Sequence, residues 1–189
     1  MITEKDLKTL FTSDEIQNAI KELGVRINSD YGDDELFLIC VLKGAVMFTV
    51  DLSKHLKMPV HMEFIRLSSY GSGFASTGKV NAVDISLPDL NGKNVLIVED
   101  IIDTGHTAKF LMDFINHNFK VKSVKFCSLL DKRVKREVEI DPDYHGLEVD
   151  DKFLVGYGLD YDGVYRNLPY IGYVSVSYTH LTLPTILLV

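Results

Sequence analysis

The segment "ELFLICVL" (35–42) is apolar almost from end to end, and "NVLIVED" (94–100) repeats the pattern up to its last two residues. A strand with one wet face alternates apolar and polar residues, so such runs predict strands buried on both faces. Two more strand-like stretches, "PVHMEFIRLSSY" (59–70) and "VKSVKFCSLLDK" (121–132), lie before and after "NVLIVED". Before and between them fall segments with helical spacing. In "SDEIQNAIKELGVRINSDYG" (13–32), Ser13 reads as the N-cap, and Ile16, Ala19, Ile20, Leu23 and Ile27 recur on one face. "GAVMFTVDLSKHLKM" (44–58) and "TGHTAKFLMDFINHN" (104–118) read as two further helices. Strands alternating with helices predict an α/β fold with a mostly parallel twisted sheet flanked by helices.

Composition narrows the function classes. With 189 residues, the chain has room for one full core and little for a second. A formal net charge of -7 and a pI near 5.3 argue against broad binding to nucleic acid or to a membrane surface, both of which rest on excess Lys and Arg. Cys40 and Cys127 each sit in a strand-like run, as buried free thiols do in a reducing compartment. The histidines are scattered without metal-site spacing. The N-terminal "MITEKDLKTLF" has no apolar centre, and no apolar stretch approaches the ~20 residues that span a bilayer, so a cytoplasmic location is expected.

Two segments break the rhythm. The Gly- and Ser-rich "SSYGSGFASTGK" (68–79) is longer than a hairpin needs, which suggests a mobile lid or an idle loop. The tail "SVSYTHLTLPTILLV" (175–189) is Thr- and Leu-rich, nearly uncharged, and interrupted by Pro184. Its composition departs from the rest, so we expect one domain over residues 1–174 and a scar of sequence assembly after it.

The third strand ends in the richest cluster of chemistry. Ligands of parallel α/β sheets bind at the carboxyl ends of strands, and "EDIIDTGHT" (99–107) lies at such an end, before a helix. The amides from Thr104 to Thr107 read as unpaired donors of the first helical turn, with Gly105 allowing a tight backbone, and form a seat for one phosphate. Neither GxxxxGK[ST] nor GxGxxG is present. Phosphate cradles avoid anions, so Glu99 and Asp100 must meet something neutral or cationic, such as ribose hydroxyls or Mg²⁺. A phosphorylated ribose satisfies both demands. The competing reading is structural: Asp103 and Thr104 cap the helix while Glu99 and Asp100 face solvent.

The thirteen residues "VLIVEDIIDTGHT" (95–107) resemble the signature of type I phosphoribosyltransferases, and "EDIIDTG" is particularly similar to the 6-oxopurine enzymes, the hypoxanthine-guanine phosphoribosyltransferases. The likeness runs in order over roughly residues 10–174. It implies the family fold, with a small hood from the terminal segments and a flexible loop over the site. "LKGA" (42–45) resembles the pyrophosphate loop, with Lys43 and Gly44 its working residues and a preceding peptide bond that can be cis. "SSYGSG" (68–73) is similar to the loop that closes over the pyrophosphate, with Ser69 and Tyr70 its recurrent pair. In "LLDKR" (129–133), Lys132 would donate to the exocyclic oxygen of a 6-oxopurine. In "DKFLVGYGLDYDGVYRNLPYIG" (151–172), Phe153 would stack on the base and the Leu154 backbone would bond its edge. Asp160 would border the base and help hold a second Mg²⁺, and Arg166 would pair with pyrophosphate. Read alone, Lys43 and Lys132 are equally surface lysines, Phe153 a core aromatic, and Asp160 and Arg166 turn residues.

The resemblance implies Mg²⁺-dependent transfer of ribose 5-phosphate from 5-phosphoribosyl 1-pyrophosphate to N9 of hypoxanthine or guanine. Glu99, Asp100 and Asp160 would be the metal ligands. Asp103, Thr104, Gly105, His106 and Thr107 would hold the phosphoribosyl group, with Asp103 also the acid–base residue at purine N7. His106 occupies a variable slot, so little specificity is expected of its side chain. A homodimer or homotetramer is implied, without nucleic-acid or membrane partners. Xanthine or adenine as substrate, a nucleotide-sensing RNA- or DNA-binding regulator, and a phosphoacceptor domain are the competing functions. Lys132 speaks against adenine, the net charge against the regulator, and Thr104-Gly105 against the phosphoacceptor.

Overall fold

The computed structural model describes residues 6–69 and 80–174. A short strand, β1 (Leu7–Phe11), leads into helix α1 (Ser13–Tyr31). Then follow β2 (Leu36–Leu42), α2 (Val46–Ser53), β3 (Val60–Ser69), β4 (Val80–Asp84), β5 (Asn94–Ile102), α3 (His106–Asn118) and β6 (Ser123–Asp131). A turn of 3-10 helix (Arg133–Lys135), β7 (Tyr144–Glu148), β8 (Leu154–Val155) and β9 (Ile171–Val174) complete the described elements. The larger sheet has the order β4-β3-β2-β5-β6-β7, and all its pairs are parallel except β3 with β4.

The apolar runs behave as their composition demands. Along β2, Leu36 and Leu38 point to one face, where Ile16, Ile20, Leu23 and Ile27 of α1 and Phe48 and Leu52 of α2 cover them. Phe37, Ile39 and Val41 point to the other, against Ala108, Leu111 and Ile115 of α3. β5 divides its side chains the same way, with Leu96 and Val98 on the first face and Val95 and Ile97 on the second. A sheet closed on both sides leaves its strand ends as the accessible place for a ligand.

Several boundaries differ from the sequence expectation for identifiable reasons. Thr12, not Ser13, caps α1: the Glu15 amide donates to Thr12 Oγ1 at 3.3 Å while Glu15 Oε2 accepts from the Thr12 amide at 2.8 Å. This reciprocal box requires Glu or Gln three residues after the cap, and only Thr12 has one. The helix expected over 44–58 is confined to Val46–Ser53. Beyond it the Asn28 side chain donates to the His55 carbonyl and accepts from the Lys57 amide, at 2.8 and 2.9 Å, and Pro59 disfavours helical geometry before it. The helix expected from Thr104 starts at His106, because Gly105 is left-handed at φ 88° and stands outside it.

A second, three-stranded sheet, β1-β9-β8, is antiparallel and joins the start of the described chain to its end. It is the hood that the resemblance implied. β3 and β4 pair from Ser69 with Val80 onwards, so the ends of the intervening loop are adjacent. The expected lid residues from Tyr70 to Lys79, and the tail 175–189, lie outside the described residues. Among the described residues, no helix is long and apolar enough to cross a membrane.

Candidate active site

The site follows from strand order. From β2 the chain steps one way to β3, while β5, β6 and β7 run the other way, so the loops after β2 and β5 meet at the reversal. β2 and β5 are parallel neighbours in register from Leu36 with Asn94 to Cys40 with Val98. Lys43-Gly44 and Glu99-Asp100 therefore lie side by side, where β2 has ended and β5 continues along β6 to Ile102. Gly44 lies against the Asp100 carboxylate so closely that a Cβ there would collide with it. This is why the loop after β2 needs glycine. The Leu42–Lys43 peptide is cis, and the Lys43 side chain is exposed.

Asp100 and Glu99 occupy the neck between these loops. Burial pushes the Glu99 carboxyl well above its usual range, and the neighbouring Asp100 charge pushes the same way. Burial likewise raises Asp100 to about 6, against the lowering effect of the Ile101 and Asp100 amides and the Arg166 charge. Two acids that resist ionisation side by side form a place where a cation or hydroxyl donors are favoured. Hard carboxylate oxygens suit Mg²⁺, which takes one or two carboxylates and completes its shell with substrate oxygens and water. Asp160, whose charge also raises Asp100, pairs with Arg166, while its other oxygen accepts from the Gly163 amide at 2.7 Å. Among the described residues, no group of three or more metal-ligating side chains converges. Arg166 also donates to the Gly158 carbonyl at 2.5 Å, and Gly158 lies against the Gly44 carbonyl, which brings the hood to the loop after β2.

The turn after β5 forms a hollow of about 80 Å³ lined by Glu99, Asp103, Thr104, Gly105 and Thr107, among others. Helix α3 has no side-chain cap, so Asp103 and Thr104 are not spent on capping as the structural reading required. Among the described residues, none of the amides from Thr104 to Thr107 donates to a backbone carbonyl. Only those from His106 onward belong to the helix; Thr104 and Gly105 lie in the turn before it. The His106 ring is engaged with Glu137, Nε2 to Oε2 at 2.9 Å.

Asp103 marks the passage to the other end. Its Oδ1 is buried without a hydrogen-bond partner, and its Oδ2 lies 3.6 Å from Lys132 Nζ. Lys132, buried at the end of β6, also donates to the Lys152 carbonyl at 3.3 Å and pairs with Asp151 at 3.0 Å. Asp151 receives Lys135 as well, at 2.9 Å, and these two lysines, Lys135 first, hold its carboxyl below the usual range. Asp151 was not singled out in the sequence, although its place next to "KFLVG" was in view. Phe153 is half exposed, its ring edge-on to Tyr161 at 5.7 Å, and it is not the core aromatic of the competing reading. Leu154 is buried in β8, paired with Tyr173 of β9. Ser69 ends β3, and Tyr70 lies outside the described residues.

Comparison with known proteins matches the phosphoribosyl transferase domain model over residues 7–162. The chain belongs to the phosphoribosyl transferase family. Among relatives of this phosphoribosyl transferase, the hypoxanthine-guanine phosphoribosyltransferase of Streptococcus thermophilus is 44% identical over 170 residues, covering 89% of this chain and 94% of that one. That of Bacillus subtilis is 45% identical over 165 residues, covering 87% and 91%. A crystal structure of a Staphylococcus aureus hypoxanthine phosphoribosyltransferase superposes with a TM-score of 0.85 at 41% identity, covering 90% of this chain and 92% of that chain. The parallel sheet flanked by helices is thus the family fold.

Proposed function

We propose that the chain is a pentosyltransferase of purine salvage, moving ribose 5-phosphate from 5-phosphoribosyl 1-pyrophosphate to N9 of hypoxanthine or guanine. The observation that carries this reading is the continuity of the site. The end of β5 and the turn after it offer two adjacent acids and, among the described residues, amides that donate to no backbone carbonyl, and Asp103 reaches within 3.6 Å of a buried lysine, Lys132, suited to a 6-oxo group. Its relatives named hypoxanthine-guanine phosphoribosyltransferases support the same conclusion.

In the reaction the C1–O bond to pyrophosphate breaks with its electron pair leaving on pyrophosphate, and a C1–N9 bond forms. The amides of Thr104, Gly105, His106 and Thr107, with the two threonine hydroxyls, hold the 5′-phosphate. Glu99 and Asp100 would hold the ribose diol and the Mg²⁺. Bound there, Mg²⁺ would neutralise charge developing on the leaving group. Lys43, with the Gly44 backbone, and Arg166 add positive charge and donors at the same end. Asp160 orients Arg166 and would help hold a second Mg²⁺, directly or through water. Lys132 donates to the 6-oxo group, Phe153 stacks on the ring, and the Leu154 backbone bonds its edge. Asp103 accepts the proton from N7 as N9 attacks. Ser69, at the end of β3, and Tyr70 would help exclude water.

We take residues 1–174 as one domain, a reading supported by the β1-β9 pairing that ties its two ends. A homodimer or homotetramer fits the exposed Met47 and Val50 on one side of α2, and the buried free thiols Cys40 and Cys127 suit the cytoplasm. The test is a spectrophotometric assay with the pyrophosphoryl donor and Mg²⁺ against hypoxanthine, guanine, xanthine and adenine. Turnover of hypoxanthine or guanine is expected. Preference for xanthine would move the substrate assignment, and no turnover with any base would overturn the reading.

A further inference from the structure

The segment between β6 and β7 takes up the carbonyl groups of the turn after β5 one after another. Ile102 accepts from the Lys132 amide at 3.0 Å and from Arg136 Nη2 at 3.4 Å. Asp103 accepts from Arg136 Nε at 3.0 Å, and Thr104 from the amides of Glu137 and Val138 at 2.9 and 3.1 Å. Arg136 Nη1 donates to the Ile140 carbonyl, folding residues 136–140 around the same guanidinium. Asp131 anchors that guanidinium, Nη2 to Oδ1 at 2.6 Å, and this carboxylate is wholly buried. Its second oxygen takes Arg133 Nε at 2.8 Å. The Arg136 stem also packs on the turn: a Cβ on Gly105 would come within 3.0 Å of Arg136 Cδ and 2.8 Å of Ile140 Cγ2.

A carbonyl and the amide of the next residue share one rigid plane and point in opposite directions. Fixing the Asp103 carbonyl therefore fixes the direction of the Thr104 amide, and fixing that of Thr104 fixes the Gly105 amide. The Gly105 carbonyl, bound by the Lys109 amide at 2.9 Å, does the same for His106. The donors assigned to the 5′-phosphate are aimed by what holds the carbonyls on the other side of their planes. A guanidinium presents donors in a planar fork that can serve two successive carbonyls and a carboxylate together, whereas an ammonium is a single compact centre.

We propose that Arg136, locked by Asp131, is a positioning residue for the phosphate seat, setting the aim of the Thr104 amide through the Asp103 carbonyl and, by folding residues 136–140 against the turn, that of the Gly105 amide, without touching substrate. The inference rests on the proposed function, since it assigns those amides to the 5′-phosphate. Its test compares Arg136→Met, Arg136→Lys and Arg133→Met by melting temperature, by KM for the pyrophosphoryl donor and the base separately, and by calorimetric binding of ribose 5-phosphate. Because small displacements of a positioned ligand can cost up to about a hundredfold, Arg136→Met should raise the donor KM and ribose 5-phosphate Kd by roughly tenfold to a hundredfold, with the base KM within about twofold. Arg136→Lys should not restore either value. Arg133→Met strips a partner from the same carboxylate but does not reach the turn; it should lower the melting temperature and leave both values unchanged. A folded Arg136→Met or Arg136→Lys protein with unchanged ribose 5-phosphate binding would overturn the inference, as would an equal loss in Arg133→Met. Absence of turnover in the unchanged chain, with ribose 5-phosphate still bound and weakened only by the Arg136 variants, would count against the proposed reaction and leave the aiming role standing.

Discussion

Under the proposed function, one stretch of chain from Glu99 to Thr107 would supply the acids, the proton acceptor and the phosphate amides. At the base end, Lys132 comes from the tip of β6, while Phe153 and Leu154 come from the hood, whose strands join the two ends of the described chain. The first region is shaped by the bonds its main-chain carbonyls accept, from the Arg136 side chain and from the Lys132, Glu137 and Val138 amides. The second is held by side-chain pairs such as Lys132 with Asp151 and by a small antiparallel sheet. Under the proposed function, phosphate and ribose recognition would therefore draw on one local stretch, whereas base recognition would depend on distant pieces meeting correctly.

The contrast is tested first at Asp103, where the two regions meet. Asp103→Asn should lower kcat by about 10² to 10⁴, the range of a lost acid–base group, with far less effect on donor KM. Survival of turnover within about threefold would remove Asp103 from that role. Lys132→Met should act on the base alone, raising hypoxanthine KM by roughly tenfold to a hundredfold, as loss of a hydrogen bond from a charged donor does. An equal rise in donor KM would erase the distinction. At the metal end, burial raises Asp100 to about 6. A carboxyl must shed its proton to receive a cation, so Mg²⁺ affinity measured by calorimetry should fall as pH drops through about 6 and be regained above it. The smallest effect is expected farthest from the chemistry. Thr12→Ala removes the α1 cap and should lower the melting temperature by roughly 2–4 °C, with donor and base KM unchanged.

Legibility followed the same division. The buried strands announced themselves because a strand covered on both faces has nowhere to put polar residues. The turn after β5 was readable because its acids, Asp103 and Gly105 are contiguous. β1, β8 and β9 gave no such signal: they are short, and what makes them strands is each other, across most of the chain. β7 escaped because "YHGLE" carries no apolar run. Thr12 could have been found from Glu15 three residues on. Arg136 and Asp151 could not, since a long polar side chain among other charges reads as solvated surface until its partners are known.

The most direct test of the account is a crystal structure with the product nucleotide, IMP or GMP, and Mg²⁺. The 5′-phosphate is expected on the amides of Thr104 to Thr107, the ribose diol toward Glu99 and Asp100, and the purine between Phe153 and Lys132. A phosphate bound instead at Lys43 and Arg166, with the turn after β5 left free, would contradict it.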